Sequence, residues 1–394
     1  MCSKKTVVVG VTGGIAVYKA LDVISSLKKK DLDIHVIMTK NAMEFVTPLS
    51  FQSLSQNMVI SDMFAEPKAF EIQHISLAKK ADLMLIVPAT ANVIGKVANG
   101  IADDMLTTTI MATKAPVVFA PAMNTNMYNN VIVQENIKKL KSLDYKFIPP
   151  ASGRLACGDI GTGKLADTNT IVETVLTMLY DKKDLVNKKV LVTAGPTISP
   201  IDPVRFITNR STGKMGFAIA EEARDRGADV TLISGPTSLV PPVGVKYIKV
   251  ETNEEMLRET LNHFEQQDIV VKSAAVADYK PKQYSTTKIK KSESELSIDF
   301  IKDTDILKTL GETKKNQILV GFAAESNDLI KNAEAKVRTK NLDYIVANDI
   351  TSRDTGFASN DNKVTIITKE GKIIPMEKMT KREVARELFN LINT

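Results

Sequence analysis

Residues 4–20 read KKTVVVGVTGGIAVYKA, and residues 188–197 read KKVLVTAGPT. Each is an apolar, β-rich run that enters a glycine turn. In each half a helix and a second apolar run follow, DIHVIM at 33–38 and GADVTLIS at 227–234. Strands this apolar are typical of parallel sheets covered on both faces. The two stretches therefore predict a β-α-β unit at the start of each half.

Further apolar runs extend both predicted sheets, at 83–87, 117–120, 269–272, 318–322 and 344–347. Because they alternate with helical patterns, they predict an α/β fold with two doubly wound parallel sheets. A charged stretch at 181–188 follows a predicted helix at 170–180, so we expect domains of 1–187 and 188–394. The tail from residue 360 predicts a strand pair and a final helix, to which we assign no chemistry.

Composition narrows the class of protein. The chain has 394 residues, 43% of them hydrophobic and 25% charged, which is typical of a soluble globular protein. A net charge of +6 spread along the chain, with 5% aromatic residues, favours small anionic ligands over nucleic acid. With no apolar run of membrane-spanning length and no signal peptide, we expect a cytoplasmic protein without membrane contact. Two cysteines and three scattered histidines predict neither disulfides nor a metal cluster.

Ligands in such sheets bind beyond the carboxyl ends of the strands. The segments expected there are 10–15, Thr39, 88–92 and 121–128 in the first half, and 195–215, 273–291 and 321–325 in the second. The turn at 13–16 opens a helix whose N–H groups can hold a phosphate. Asn124 is placed to bind a ligand carboxylate or amide. Each of these could alone be an ordinary turn or cap residue, and a lone histidine such as His74 is more often structural.

Cys157 is a lone thiol in RLACGDIGTGKLAD, residues 154–167. Glycines, an arginine and a lysine around it favour a reactive thiol over a small buried hydrophobe. Residues 158–164 imitate the G-x-x-x-x-G-K of a P-loop, but Leu165 replaces the required Ser or Thr and no apolar strand precedes the segment. We interpret it as a flexible flap that carries a thiol, with the nearby glycines as hinges.

Five motifs of the first half together resemble the flavin-dependent cysteine decarboxylases, in particular phosphopantothenoylcysteine decarboxylase, over essentially all of 1–180. They are HISLA (74–78), PATAN (88–92), ANGIADD (98–104), PAMNTNMY (121–128) and ACGD (156–159). The resemblance implies a flavodoxin-like trimer with FMN at a subunit interface. It implies His74 and Asn124 at the substrate carboxylate and Cys157 as the acid on the flap; Tyr128 stands where many relatives carry Trp. The residues implied around FMN are Gly13, Gly14, Ile15, Thr39, Thr90, Ala91, Asn92 and Ala122.

In the second half, residues 209–216 gather N–H groups, hydroxyls, an amide and two cations before a helix predicted at 217–226, which makes an anion site plausible. The small residues at 273–279 would let a base or ribose approach closely. The lysine-rich stretch 280–291 is consistent with a solvated loop or with a mobile flap that closes over a triphosphate.

These segments resemble phosphopantothenate–cysteine ligase over 189–358. The motifs are VTAGPT (192–197), DPVRFITNRSTGKMG (202–216), SAAVADY (273–279), KIKK (288–291), GFAAES (321–326) and KNLDYIVANDI (340–350). The resemblance implies a dimer and a second domain that is Rossmann-like, with Asn209 at the activated carboxylate and Lys288 as the catalytic flap lysine. Thr304 stands where many relatives have Pro. The implied nucleotide contacts are Ser273, Ala274, Asp278, Asp305, Ile306, Leu307, Phe322, Lys336 and Lys340.

Both resemblances imply one bifunctional enzyme of coenzyme A synthesis, which uses FMN, Mg²⁺ and CTP, with ATP as the other candidate. They imply a homo-oligomer of trimeric decarboxylase halves and dimeric ligase halves, up to a dodecamer. The first alternative is a flavin-dependent decarboxylase of peptidyl cysteine with an unrelated nucleotide-binding module; the second is a regulatory flavoprotein. Cys157 and Asn124 argue against a pure binding protein. The lysine-rich stretch and the Asn209 segment argue against the peptide enzyme.

Overall fold

The computed structural model describes residues 4–64, 72–156, 158–290, 296–325, 328–349 and 359–393. The chain divides into two compact units, Met1–Leu179 and Tyr180–Thr394. The predicted domain boundary at 187/188 lies inside the second unit and stays a prediction. Among the described residues, no helix has the length and apolar character needed to cross a membrane.

The elements of the first unit are, in chain order, β1 (Thr6–Val11), α1 (Val17–Lys28), β2 (Asp33–Met38), α2 (Lys40–Met43), α3 (Pro48–Ser55), α4 (Gln73–Lys80), β3 (Leu83–Ala89), α5 (Ala91–Ala98), α6 (Met105–Ala112), β4 (Val117–Pro121), α7 (Thr125–Asn129), α8 (Val131–Ser142), β5 (Lys146–Phe147), β6 (Ala151–Arg154), β7 (Ile160–Lys164) and α9 (Thr168–Leu179).

Five strands of the first unit form a parallel sheet in the order β2-β1-β3-β4-β5. This is the flavodoxin-like doubly wound order, so the predicted fold of the first half is confirmed. Val7 and Val9 of β1 face a core with α1 and α9, whereas Val8 faces a core with α5, α6 and α8. The sheet is buried on both faces, which explains why β1 is apolar throughout.

The elements of the second unit are β8 (Lys189–Ala194), β9 (Ile198–Pro200), β10 (Phe206–Thr208), α10 (Lys214–Asp225), β11 (Asp229–Ser234), β12 (Lys246–Lys249), α11 (Asn253–Phe264), β13 (Ile269–Lys272), β14 (Tyr279–Pro281), β15 (Phe300–Lys302), α12 (Ile306–Thr313), β16 (Ile318–Glu325), α13 (Leu329–Thr339), β17 (Tyr344–Asp349), β18 (Asp361–Asn362), β19 (Val364–Thr368), β20 (Ile373–Pro375), β21 (Met379–Thr380) and α14 (Lys381–Ile392).

The main sheet of the second unit has eight strands in the order β12-β11-β8-β13-β16-β17-β19-β20. The first six are parallel, and β19 and β20 join antiparallel at the edge. Counted from β8, the parallel strands follow the order 3-2-1-4-5-6 of dinucleotide-binding sheets. Val190 and Val192 face a core with α10 and α14, and Leu191 faces a core with α11, α12 and α13. The second half is therefore also doubly wound.

The predicted elements are present, with shifts at their ends. The strands at 33–38 and 269–272 have the predicted bounds. The helix predicted at 217–226 begins earlier, at Lys214, because the left-handed Gly213 (φ 81°) turns the chain into it. The tail contains the predicted strand pair and final helix, and a further short pair, β18 with β21. Sequence analysis did not predict the small pairs β9–β10 and β14–β15.

Candidate functional site

The strand ends of the first unit line a cavity of about 1220 Å³. Pockets for small molecules commonly measure about 300–1,000 Å³, so this one can accommodate a cofactor together with a substrate. All the residues predicted around FMN line it, namely Gly13, Gly14, Ile15, Thr39, Thr90, Ala91, Asn92 and Ala122. Asn124 lines it as well. Their roles as ligand contacts stay predictions, but the fold brings them to one place.

The glycine turn after β1 is constrained by the segment after β2. A Cβ added to Gly13 would lie 2.4 Å from the Cβ of Asn41 and 2.7 Å from its backbone carbonyl carbon. No side chain fits there without moving the backbone of α2. A Cβ added to Gly14 would meet only the Cγ2 of Thr90, at 3.7 Å. Gly13 is therefore required by packing, whereas Gly14 has room at the cavity wall.

Thr12 is a cavity residue that sequence analysis did not select, although it lies in the predicted strand-end segment 10–15. Its hydroxyl donates to the Pro88 carbonyl at 2.7 Å and accepts the Thr90 N–H at 3.1 Å. The end of β1 is thus fixed to the end of β3. A threonine directly before a glycine turn was the available signal, but it could not be told from an ordinary turn residue.

The donor groups at this cavity fit a flavin nucleotide. Thr90 is the N-cap of α5, so the free N–H groups and positive dipole end of that helix begin at Ala91 and Asn92. The turn at Gly13–Gly14 adds further backbone N–H groups, and Thr39 adds a hydroxyl. Backbone N–H groups hold phosphate well, and hydroxyl groups suit a polar sugar chain. The residues present therefore match the chemistry of the predicted cofactor.

Asn124 is held rigidly beside the β6–β7 hairpin. Its Oδ1 accepts the N–H of Asn126 at 2.8 Å, and its Nδ2 donates to Oδ2 of Asp159 at 2.9 Å. Asp159 lies on the hairpin segment that contains Cys157. Arg154, just before that cysteine, lines the cavity. The hairpin therefore extends the cavity wall, but Cys157 itself lies outside the described residues.

Two glycines of the hairpin pack closely against a neighbouring segment. A Cβ on Gly163 would lie 2.3 Å from the Met123 carbonyl oxygen, and one on Gly161 would lie 2.7 Å from the side chain of Thr125. They permit close packing on the segment after β4, and their predicted role as hinges stays a prediction. The rejection of a P-loop is confirmed, because 160–164 is a strand paired with β6.

His74 is not brought to this cavity within one chain. It lies half-buried on α4 and does not belong to the described residues that line the cavity. Lys96 does line it, and pairs with Asp103 at 2.7 Å and with Asp104 at 3.7 Å. The hydrogen bond from Lys96 lowers the pKa of Asp103, and in return raises the pKa of Lys96. Lys96 thus offsets one of the two carboxylate charges at this part of the wall.

In the second unit, one hydroxyl group near the end of β8 and another just after it hold the segment after β13. The Thr193 hydroxyl accepts the Ala274 N–H, and the Thr197 hydroxyl accepts the Ala277 N–H, each at 3.3 Å. The Ala275 N–H donates to the Gly195 carbonyl at 2.9 Å. These contacts bring together the motifs VTAGPT (192–197) and SAAVADY (273–279), the second of which contains predicted nucleotide contacts.

Asn209 uses its amide nitrogen within the protein. Nδ2 donates to the carbonyls of Ala275 and Val276, at 3.1 and 3.0 Å. Both N–H bonds of the amide thus point at backbone, and Oδ1 is the atom that faces a ligand most readily. Its predicted place beside the activated carboxylate stays a prediction.

Lys288 is exposed, but the segment that carries it is anchored. The buried carboxylate of Asp202 accepts the Ile289 N–H at 3.1 Å and the Nε–H of Arg205 at 3.0 Å. Arg205 in turn donates to the Ile289 carbonyl at 2.9 Å. Hydrogen bonds from Arg205 keep the pKa of Asp202 well below its usual range. This clamp anchors the segment at Ile289, directly after Lys288, and the interpretation of the segment as a flap stays a prediction.

The predicted nucleotide residues gather around Asp305, the N-cap of α12. Its Oδ2 lies 2.7 Å from Nζ of Lys340. Burial raises the pKa of Asp305, but hydrogen bonds from Lys340 and from the Lys308 N–H outweigh it and lower the pKa. The side chains of Ile306 and Leu307 are buried in the core, so these two can meet a ligand only through backbone N–H groups.

The remaining predicted nucleotide residues are distributed around the same strand ends. Ala274 is buried, Ser273 and Phe322 are half-buried, and Asp278 is exposed. The charges of Asp278, Asp305, Lys336 and Lys340 all act on one further residue, Lys272, which sequence analysis did not select. The loop at Thr304 is fixed by Asn253, whose amide donates to the Thr304 carbonyl at 2.9 Å.

Comparison with known proteins agrees with the division of the chain into two units. A family model described as "Flavoprotein" matches residues 1–180, and one described as "DNA/pantothenate metabolism flavoprotein C-terminal domain" matches residues 185–394. The Coenzyme A biosynthesis bifunctional protein CoaBC of Bacillus subtilis is 47% identical over 100% of this chain and 97% of its own. The protein of the same name from Borreliella burgdorferi is 45% identical over 100% of both chains.

The chain belongs to this family of coenzyme A biosynthesis bifunctional proteins. A solved structure of the C-terminal domain of such a protein is 45% identical, covers 54% of this chain and 97% of that one, and has a TM-score of 0.47. The flavoprotein match covers the unit that contains the cavity, and supports a flavin as its cofactor.

Proposed function

We propose that the chain is a bifunctional, cytoplasmic enzyme of coenzyme A biosynthesis. Its ligase domain, 188–394, joins 4′-phosphopantothenate to cysteine, and its decarboxylase domain, 1–187, converts the product to 4′-phosphopantetheine. The observation that carries the proposal is the convergence of eight residues, predicted from separate motifs, on one cavity of the first unit. The full-length relatives are named as proteins of coenzyme A biosynthesis, which supports the assignment to that pathway.

In the decarboxylase domain, this chain binds and orients the cysteine end of the substrate. FMN, held by the strand-end residues, supplies the hydride acceptor without which a cysteine α-carboxylate has no electron sink. Asn124, fixed by Asp159, is the proposed contact of the carboxylate. Cys157 is the proposed acid that protonates carbon after CO₂ has left. The adjacent hairpin would bring it to the cavity.

His74 is the proposed second carboxylate contact, and its position supports an oligomeric site. Since His74 does not line the cavity of its own chain, it can serve the reaction across a subunit interface, as the trimer implies.

In the ligase domain, β10 and β15 leave Phe206, Phe300 and Ile301 exposed, which favours the proposed dimer. Trimers and dimers together would make assemblies up to a dodecamer.

In the ligase domain, the carboxylate of 4′-phosphopantothenate attacks the α-phosphate of CTP, or of ATP. The α–β phosphoanhydride bond breaks, pyrophosphate leaves, and the amine of cysteine then displaces the nucleotide from the acyl group. Lys288 stabilises the charge that develops on phosphate, while Lys336 and Lys340 hold the nucleotide. Mg²⁺ would neutralise the triphosphate; it commonly binds such phosphates with few protein ligands.

The test is to incubate the purified protein with 4′-phosphopantothenate, cysteine, Mg²⁺ and either CTP or ATP, and to measure pyrophosphate and CO₂. We expect both products, in equal amounts. CO₂ from a peptide ending in cysteine, without pyrophosphate, would favour the peptide decarboxylase instead.

The Cys157→Ser variant should still release CO₂ but accumulate the unreduced enethiol. Normal formation of 4′-phosphopantetheine by that variant would exclude Cys157 as the acid.

A further inference from the structure

Lys272 occupies the centre of the second unit's ligand-binding edge. It is the last residue of β13, and pairs in register with Thr193 of β8 on one side and with Gly321 of β16 on the other. Between β8 and β13 the strand order reverses direction, which is where doubly wound sheets bind their ligands. Lys272 directly precedes Ser273 and Ala274, two of the proposed nucleotide contacts.

The ammonium group of Lys272 is poorly neutralised. Nζ donates to the Ala274 carbonyl at 2.8 Å, and within the described part of the chain this is its one hydrogen bond, with no ion pair. An ammonium has three N–H donors, so two remain for a ligand. The side chain is half-buried, and water therefore solvates the charge incompletely.

The charged groups that face Lys272 come from the elements packed around it. Asp305 precedes α12, Asp278 follows β13, and Lys336 and Lys340 lie on and after α13. The pKa of Lys272 is lowered to about 8, chiefly by burial; the two lysines also lower it, and the two carboxylates partly offset this. Asp305 is already engaged by Lys340 at 2.7 Å. An anionic ligand group would supply the negative charge that the neighbouring groups of the protein do not provide to Lys272.

We propose, on the basis of the proposed ligase function, that Lys272 binds a phosphate group of the nucleoside triphosphate and takes up a proton as the nucleotide binds. Phosphate stabilises the ammonium form, because two charge-assisted hydrogen bonds replace incomplete hydration. In the free protein the ammonium is lost as the pH rises through about 8. Just above that pH the bound lysine is charged, whereas a little more than half of the free lysine is neutral. Nucleotide binding must therefore consume protons there.

The experiment is isothermal titration of the full chain with CTP, and separately with ATP, in the presence of Mg²⁺. It is run slightly above the pKa of Lys272 in two buffers of different ionisation enthalpy, so that the difference in heat gives the protons taken up. The variants are Lys272→Met, Lys272→Arg and the control Lys189→Met. Lys189 is an exposed lysine at the first residue of β8, at the opposite edge of the sheet. Cytidine serves as the probe without phosphate.

We expect the unmodified protein and Lys189→Met to take up a fraction of a proton. Lys272→Met should bind the triphosphate about tenfold more weakly, without that uptake, and bind cytidine unchanged. Lys272→Arg should keep the affinity and lose the uptake, since arginine stays charged. Unchanged uptake in Lys272→Arg, or a loss of cytidine binding in Lys272→Met, would overturn the proposal. If neither triphosphate binds the unmodified protein, the ligase function itself fails.

Discussion

The two units present their predicted residues at the same edge of the same kind of sheet, but they build the site differently. In the first unit, the turn after β1 enters α1 at Val17, and the predicted residues line one cavity. In the second, β9 and β10 separate β8 from α10. That longer connection holds the segment of Lys288 through Asp202. A glycine turn after a strand therefore locates a site, but the connection after it determines how the site is closed.

Substitution of Lys288 tests whether the two sites are independent. Lys288→Gln keeps the length and polarity of the side chain but removes the charge that we expect to act on the phosphates. Pyrophosphate release should fall on the order of 10³-fold, while CO₂ release from supplied 4′-phosphopantothenoylcysteine stays unchanged. Lys282→Gln, an exposed lysine on the same segment, is the control and should retain both activities. Equal loss of both activities in Lys288→Gln would mean that the sites are not separate.

The fold was predictable because both sheets are buried on both faces. In β1 and β8 the run of Val and Leu by itself indicates a buried strand, and the alternation of strands with helices indicates that the strands are parallel. The short strands β10 and β15 were missed because their residues are exposed and carry no alternation. The role of exposed apolar residues such as Phe206 and Phe300 can be inferred only once the surface around them is known.

The sites were predictable in position but not in detail. Motif resemblance selected residues around FMN that the fold does bring together, yet it did not select Thr12 or Lys272. Thr12 donates to the Pro88 carbonyl, and the charge of Asp305 acts on Lys272; both partners lie far away in sequence. Such contacts follow from strand register and cannot be inferred from one motif.

Arg226 tests whether the second unit folds independently of the first. It is fully buried, and its guanidinium contacts both carboxylate oxygens of Asp184 at 2.7 Å and Oδ1 of Asn390 at 2.8 Å. Arg226→Met leaves the Asp184 carboxylate and Asn390 without that partner, and should lower the free energy of unfolding of the second unit by about 3 kcal/mol. Peptide-resolved hydrogen exchange measures this separately for each unit.

The matched control is the double variant Arg226→Met with Asp184→Leu, which removes both charges and should recover part of the loss. Protection in the first unit should not change in either variant. If Arg226→Met lowered the free energy of unfolding by only about 1 kcal/mol or less, the Arg226–Asp184 pair would contribute no more than an exposed ion pair. That result would contradict its role in the core.

Gly13 and Gly14 test whether the cavity of the first unit depends on packing between its strand ends. Gly13→Ala places a methyl group 2.4 Å from the Cβ of Asn41, and the turn must shift, at a cost of about 2 kcal/mol. Flavin binding should weaken by more than tenfold, measured by fluorescence titration of the flavin-free protein. Gly14→Ala, whose methyl meets only Thr90 at 3.7 Å, should bind flavin nearly normally. Equal weakening by both variants would contradict this account of the turn.

Acid unfolding gives the smallest expected difference between the units. Burial raises the pKa of Asp184, but Arg226, with further hydrogen bonds, outweighs it and lowers the pKa to about 2. A depressed carboxyl pKa stabilises the folded form above the unfolded-state pKa of about 3.9, and this stability is lost as the pH falls towards about 2. Asp184 alone should account for a loss of about 1–2 kcal/mol in the second unit over that window, and Arg226→Met should make the loss shallower.

The first unit provides the internal reference for this measurement. Burial raises the pKa of Asp33, and hydrogen bonds, chiefly from Lys80, lower it to about 2, so the first unit also loses stability over the same pH range. Arg226→Met should leave that loss unchanged, because Asp33 and Lys80 belong to the other unit. Hydrogen exchange measured from pH 4 down to pH 2 follows both units in one sample. If Arg226→Met changed the pH dependence of hydrogen exchange equally in both units, their acid responses would be coupled. The acid unfolding of each unit would then not be determined by the charges of that unit alone.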